Sequence, residues 1–437
     1  MTASSLTRPS SKASACGCGM KRRAFLRTTF AALCLPSLAR GNGPSPLPSF
    51  DRCLEHFMAA RNIPGGALAI LRHGRLVYAR GYGWAQREQQ IPVQPTTLFR
   101  LASLSKPITA LAILRLAQAR RLSLDEPAFD RLGLAPLPGK TRDPRLEHIT
   151  IRHLLQHTGG WDRAVSGDPM FMSHPIARAC GVPSPPGPRD IIRYMMGRPL
   201  DFDPGTRHAY SNFGYCVLGR IIEAVTGHPY ETWVRRDLLT PLGIRSMRLG
   251  RSQLRNAHPG EAHYYMADNR TAPSVFEEVP SVVPAPYGSF CLEAMDAHGG
   301  WLASVVDLMR LSAALPGHGG SLLTAEMWQE LVRPPAPPVA RDAHGRLNDM
   351  YYGCGWLVRP IQTPPGHNIW HSGSLPGTFT FWVILSNGMA WAVLFNQRRE
   401  ANGLPDTEID GLLHLAAAHV QEWPESDEFP RYYRPSS

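Results

Sequence analysis

Residues 99–118, FRLASLSKPITALAILRLAQ, decide the fold. Ile108, Leu111, Ala112, Leu114 and Leu116 recur near a helical period, so most of the stretch reads as a buried helix. Its first turn carries Ser103, Ser105 and Lys106, polar groups for which a helix entering a core has no packing use. Residues three apart share a helix face and neighbours do not, so Lys106 lines up with Ser103 rather than with Ser105. Pro107 fits a first turn, where its missing N–H removes no helical bond. The helix start also leaves backbone N–H groups, that of Ser103 among them, free to face an anion. An amine at the positive end of a helix dipole, partly desolvated, is biased towards its neutral form. Beside a hydroxyl it takes the proton and turns a weak nucleophile into a useful one. Ser-x-x-Lys is frequent by chance, so its meaning depends on what accompanies it.

Two other stretches accompany it. GTRHAYSNFGYCVLG, residues 205–219, sets Tyr210, Ser211 and Asn212 just ahead of an apolar helix. A phenol there holds or relays a proton beside the amine, and an amide bonds a substrate carbonyl or amide. The plainer reading is a helix cap by Asn212 plus a core tyrosine. NIWHSGSLPGTF, residues 368–379, places His371 in an apolar strand before a turn. Gly373 permits a ligand to come close to the backbone, and the N–H of Ser374 then serves as a second oxyanion donor. The plainer reading is a half-exposed histidine on an edge strand.

Working outward, residues 50–60 read as an amphipathic helix, and two apolar runs flank His73-Gly74 as a hairpin. The middle of the chain, residues 122–291, holds short helical segments (152–157, 189–196, 215–225, 230–239) joined by Pro- and Gly-rich loops. Strand character returns at 353–361, 367–373 and 378–397, with Asn387-Gly388 as a hairpin turn. A last helical stretch covers 406–421. Sheet elements thus sit at both ends of the sequence. The simplest α+β (α/β) packing joins them into one central antiparallel sheet, flanked by the terminal helices, with a mostly helical lobe inserted. The expected sheet lobe comprises about 50–115 and 292–421, and the helical lobe about 116–291, within one domain from 41 to 437.

The three motifs together resemble the serine β-lactamase and penicillin-binding protein family. A tyrosine in the second motif is similar to the class C β-lactamases, the related D-alanyl-D-alanine carboxypeptidases and the family VIII carboxylesterases. ITIRHLLQHTGGWD, PGTRHAYSNFGYCVLGRIIEAVTGHPY, PLGI and HGGWLASVVDLMRL carry the likeness from about residue 50 to 421. It implies a β-lactamase/transpeptidase-like fold and a serine hydrolase working through an acyl-enzyme on an ester, a D-amino-acid amide or peptide, or weakly a β-lactam. Ser103 would be acylated, Lys106 would be its base partner, and Tyr210 would complete proton transfer to the leaving group. Which of Lys106 and Tyr210 takes the first proton stays open. Asn212 would hold the substrate's acyl side, His371 would stand where many relatives have lysine, and the N–H groups of Ser103 and Ser374 would form the oxyanion hole, beside Gly373. A histidine in place of a reliably cationic lysine favours the peptidase and esterase branches, with Arg359 on a neighbouring strand as a substitute cation or a solvated surface arginine. The rival class is a non-catalytic sensor of peptidoglycan fragments, which degenerate motifs would mark; all three motifs are intact. No metal or organic cofactor is implied. His153 and His157 are four apart, but HLLQH lacks the glutamate of a metalloprotease helix. Tyr264, Tyr265, Tyr287 and Phe290 either wall the cleft or pack beneath loops.

Bulk composition excludes other classes. The formal charge of +11 is concentrated: seven of the 46 basic residues and no acidic ones precede Phe50, leaving 39 against 35, a net of +4. No basic run interleaved with aromatics remains, which argues against a nucleic-acid partner and leaves a small molecule or short peptide. Arg22-Arg23-Ala24-Phe25-Leu26-Arg27 looks like a twin-arginine export signal of a bacterial, periplasmic or secreted protein. Residues 1–40 read as a leader, with cleavage after Ala39 and Met20 as an alternative start. The apolar run 30–35 is too short to span a bilayer, so no stable membrane span is expected in the mature form, and a monomer is the simplest expectation. Five cysteines lie beyond the leader, an odd number without a CxxC, so neither a disulfide framework nor a zinc pattern is present.

Overall fold

The structure, a computed structural model, describes residues 45–362, 365–398 and 404–433. The leader, its cleavage site and the alternative start at Met20 lie outside the described residues. Helix α1 (Pro48–Arg61) opens on a proline in its first turn, buries Phe50, Leu54, Phe57 and Met58, and stops at Asn62 in the left-handed conformation. Strands β1 (Gly65–Arg72) and β2 (Arg75–Gln86) follow. His73 and Gly74 between them both have positive φ, +47° and +77°, the backbone that a tight two-residue hairpin needs.

Six further strands complete the sheet: β3 (Ile91–Pro92), β4 (Tyr351–Tyr352), β5 (Leu357–Gln362), β6 (Pro365–Leu375), β7 (Thr378–Ile384) and β8 (Met389–Phe395). Their order is β4-β5-β6-β7-β8-β1-β2-β3, antiparallel throughout. The pairing of β1 with β8, from Gly66 opposite Phe395 to Arg72 opposite Met389, is the seam between the two ends of the chain. The expected joining of N- and C-terminal strands is what forms.

Both faces of this sheet are covered, and the period-2 alternation of β1 shows how. Leu68 and Ile70 pack with Phe50 and Phe57 of α1 and with Ile409 and Leu413 of α8 (Glu408–Ala418). Ala67, Ala69 and Leu71 face the opposite core, with Ile108 and Leu111 of α2 (Ser105–Gln118) and Leu308 of α7 (Val305–Ala313). Between sheet segments come α3 (Ile151–Leu155), α4 (Ser173–Cys180), α5 (Pro188–Met196) and α6 (Asn212–Thr226). Two boundaries differ from expectation for local reasons. Helix α3 stops before His157, whose φ of +57° no helix accommodates. Helix α6 starts three residues early because Ser211, not Asn212, caps it, its side chain accepting from the N–H of Gly214 at 3.1 Å. The expected helix 230–239 is α-helical at Tyr230–Trp233 and widens to a π-helical turn over Val234–Leu239. Among the described residues no helix is long and apolar enough to cross a membrane.

Candidate active site

Ser103 sits on a 3₁₀ turn, Ala102–Leu104, that runs directly into α2. In a 3₁₀ turn, side chains at i and i+3 eclipse, which sharpens the alignment expected of an α-helical start. Lys106 Nζ lies 3.2 Å from Ser103 Oγ. Ala102 is held at φ +49°, a left-handed conformation that costs a non-glycine residue about 1–2 kcal/mol. The surroundings impose it. The N–H of Leu101 donates to the Trp301 carbonyl at 2.8 Å, and Thr380 Oγ1 donates to the Leu101 carbonyl at 2.8 Å. The N–H of Trp301 in turn donates to Ser105 Oγ at 3.2 Å, which accounts for the second serine as a buried strut.

Gly373, on β6, lies against this turn. A Cβ there would stand 2.3 Å from the Leu101 carbonyl oxygen, 2.3 Å from Thr380 Oγ1 and 3.1 Å from the N of Ser103. The close approach expected of a ligand is thus made first by the chain's own backbone. The two-residue turn after Leu375 makes Leu375 and Thr378 a hydrogen-bonded pair. Bonding alternates back along the strand, so the N–H of Ser374 points away from β7. Pairing of β5 with β6 stops at Trp370, so among the described residues no strand pairs with that N–H.

Lys106 is fully buried. Desolvation holds its amine well below the usual lysine range, with the Arg163 charge acting in the same sense and Asp168 opposing it. A neutral amine has two N–H groups and one lone pair. Asn212 Oδ1 at 2.7 Å and the His298 carbonyl at 3.1 Å can only accept. They take both N–H groups. In the neutral form of the amine the remaining position is a lone pair, and it faces Ser103 Oγ at 3.2 Å.

Tyr210 closes the other side of Ser103. Lys106 Nζ lies 4.7 Å and the Arg163 guanidinium 5.3 Å from the centre of its ring. Burial raises the phenol well above its usual range; its hydrogen bond with Ser103 and the Arg163 charge pull the other way without overcoming it. The phenol is therefore protonated and able to donate. Asn212, in the first turn of α6, has its Nδ2 committed as well, donating to Asp168 Oδ2 at 2.6 Å.

His371 is buried, and both its ring nitrogens are bonded within the protein. Nδ1 lies 2.6 Å from the Ser372 carbonyl, which can only accept, so Nδ1 carries the proton. Nε2 then accepts from the Tyr352 hydroxyl at 2.9 Å. Desolvation above all lowers its pKa to about 3, so the ring is neutral and brings no cation to β6. Arg359 does not replace it: its guanidinium stacks on Trp370, 5.2 Å from the ring centre. A cation does stand near, because Arg398 Nη1 donates to Ser374 Oγ at 2.6 Å. Tyr264, Tyr287 and Phe290 surround the buried Arg100, at 4.4, 5.2 and 5.9 Å, which is the packing alternative. Tyr265 stacks with Arg87 instead.

Sequence reasoning missed Asp168, Tyr352, the His298 carbonyl and the strain at Ala102. Tyr352 had a faint signal, an aromatic pair ahead of the strand at 357. His157 joins it in an aromatic cluster, 4.4 Å from Tyr352 and 4.3 Å from Tyr210 between ring centres, and its Nδ1 accepts from the N–H of Ser211 at 3.1 Å. His153 is spent elsewhere, its Nδ1 accepting from the N–H of Thr150 at 3.3 Å.

These buried histidines predict an acid-labile fold. Desolvation keeps His157 and His298 well below the usual range, as it does His371. Folded, they stay neutral; unfolded, they bind protons below about pH 6.5. Their contribution is complete above about pH 6.5 and is lost as pH falls towards the folded values. Tm should decline between about pH 7 and pH 4.5, with a shallower slope for His371→Gln. A wild-type Tm that stays level over that range would contradict this.

Comparison with known proteins adds the following. A family model described as Beta-lactamase matches residues 50–415. Penicillin-binding protein 4* of Bacillus subtilis is 27% identical over 372 residues, covering 81% of this chain and 72% of that protein. Esterase EstB of Burkholderia gladioli is 34% identical over 203 residues, 45% of this chain and 49% of its own. The Flp protein of Staphylococcus aureus is 29% identical over 208 residues, 48% of this chain, and the match spans only 39% of Flp's own length. The octameric penicillin-binding protein homologue from Pyrococcus abyssi superposes with a TM-score of 0.62 at 26% identity, covering 87% of this chain and 78% of that one.

Proposed function

The chain belongs to the beta-lactamase family of serine hydrolases, and on that premise we propose that Ser103 is the residue acylated during turnover. The observation that carries the proposal is the buried Lys106 Nζ 3.2 Å from Ser103 Oγ with two pure acceptors, Asn212 Oδ1 and the His298 carbonyl, around it, which in the neutral amine leaves the lone pair for Ser103. Lys106 takes the first proton, because burial disfavours the Tyr210 phenolate that would be the competing base. The Ser103 O–H bond breaks towards Nζ as Oγ bonds the substrate carbonyl carbon. The N–H groups of Ser103 and Ser374 hold the oxyanion. As the tetrahedral adduct collapses, the proton on Lys106 passes by way of Tyr210 to the departing amine or alkoxide. Water then repeats the sequence and releases the acid.

The substrate is an ester or a D-amino-acid amide or short peptide in preference to a β-lactam. What supports this is the neutral, internally bonded His371 where many relatives have lysine, the nearby Arg398 guanidinium being bonded to Ser374 Oγ instead. The likeness to an esterase and to a penicillin-binding protein agrees with it. The twin-arginine-like stretch at 22–27 supports export, so that these substrates are met outside the cytoplasm.

Intact-mass measurement after a fluorophosphonate probe tests the nucleophile: one adduct is expected, mapping to Ser103. An adduct elsewhere, or none, would favour a site that binds without turnover. Side-by-side rates should rank p-nitrophenyl esters or D-amino-acid amides above nitrocefin, and the reverse order would remove the role given to His371.

A further inference from the structure

We infer that Asp168 is a positioning residue that aims the Lys106 lone pair at Ser103 by fixing which way the Asn212 amide faces. The inference rests on the acyl-enzyme reading above and adds to it a residue outside the three motifs. A side-chain amide has two ends of nearly equal size and opposite hydrogen-bonding sense. Seen from Lys106, the two orientations of Asn212 are chemically different. With Oδ1 towards Nζ, the amide accepts an N–H and leaves the lone pair free. With Nδ2 towards Nζ, it donates into the lone pair and disables the base.

Asp168 selects between them. Its Oδ2 lies 2.6 Å from Asn212 Nδ2, and a carboxylate oxygen only accepts, so Nδ2 must face it. Oδ1 is thereby turned to Nζ at 2.7 Å. The second oxygen of Asp168 is held too: Oδ1 accepts from the N–H of Met170 at 3.1 Å and caps the short 3₁₀ turn Pro169–Phe171. That cap stops the carboxylate from rotating away from Asn212. The chain of contacts is therefore Met170 N–H, Asp168, Asn212, Lys106, Ser103, with the donor sense determined from Met170 as far as Lys106.

A capping role alone and an aiming role predict opposite rankings. Asparagine caps a helical turn about as well as aspartate, whereas alanine does not. If Asp168 only caps, Asp168→Asn is the mild change and Asp168→Ala the harmful one. If it aims Asn212, Asp168→Asn is the worse: its amide can donate to Asn212 Oδ1 and flip it, whereas alanine leaves Asn212 to orient on Lys106 unaided. The expected result with p-nitrophenyl acetate is a loss in kcat of about 10²-fold for Asp168→Asn and about 10-fold for Asp168→Ala, with KM changed less than about threefold. Asp168→Glu compared with Asp168→Gln repeats the test at a second side-chain length, the glutamate being the more active, so the answer survives if one variant misfolds. Wild-type kcat in Asp168→Asn, or an alanine variant slower than the asparagine one, would overturn the inference. Ser103→Ala run alongside separates the two readings. If it retains turnover, the acyl-enzyme proposal fails; if it is inactive while Asp168→Asn is normal, only the role of Asp168 fails.

Discussion

Lys106→Met is expected to lower kcat/KM for an activated ester by about 10³- to 10⁴-fold while leaving the protein folded, with Ser103→Ala at the detection floor beside it. The size follows from what the amine does. A serine hydroxyl at neutral pH is a poor nucleophile, and the nearest alternative base, Tyr210, is held protonated by its burial. Methionine is long, unbranched and apolar, and fills the channel the lysine stem occupies without placing a new polar group there. The change strips a donor from Asn212 Oδ1 and the His298 carbonyl, at about 1–3 kcal/mol, but it also relieves the desolvation of a fully buried amine. These offset, so Tm should move little. Lys106→Arg should be equally inactive, because a guanidinium keeps its proton. Steady-state rates with p-nitrophenyl acetate, together with the speed of fluorophosphonate labelling, measure the effect. A Lys106→Met enzyme within tenfold of wild type would mean that another group deprotonates Ser103.

Gly373→Ala should cost about 10²- to 10³-fold in turnover and about 1–3 kcal/mol in stability, from a single added methyl. Its Cβ would fall 2.3 Å from a backbone oxygen that accepts from Thr380, and 2.3 Å from the hydroxyl that donates to it. Neither atom is the free end of a flexible side chain. Relief requires the 101–103 turn to move off β6. The N–H of Ser103 and that of Ser374, the two proposed oxyanion donors, then separate. The loss should appear in kcat more than in KM, since the oxyanion exists only along the reaction path. Thermal melts and kcat on the purified variant decide it; wild-type turnover with an unchanged melt would show that the turn is not wedged against Gly373.

How much could be read from the chain alone follows from the range of each interaction. Ser103 and Lys106 are three residues apart, and any helical or 3₁₀ start brings them together, so their partnership was legible before any fold was known. The apolar alternation of the strands and the turn residues His73-Gly74 likewise made the hairpin of β1 and β2 readable. Asp168 had no such signal. It meets Asn212 across 44 residues of loops and short helices, and nothing in a run of SGDPMF marks an aspartate that faces an amide. Tyr352 and His371 are 19 apart on separate strands, and their bond depends on β4 and β6 being brought alongside through β5. Gly373 was picked out for its missing side chain, but what fills that space required knowing that the 101–103 turn docks there.

By itself the sequence determined the residue types and their local spacing: a hydroxyl and an amine on one helix start, a phenol and an amide two residues apart, a glycine beyond a histidine on a late strand. Tertiary structure alone decided protonation and direction. Burial pushes the amine well below the usual lysine range, and burial is a property of the packed core, not of any window of residues. The aim of its lone pair was decided by two acceptors 106 and 192 positions away, which no local periodicity brings into contact.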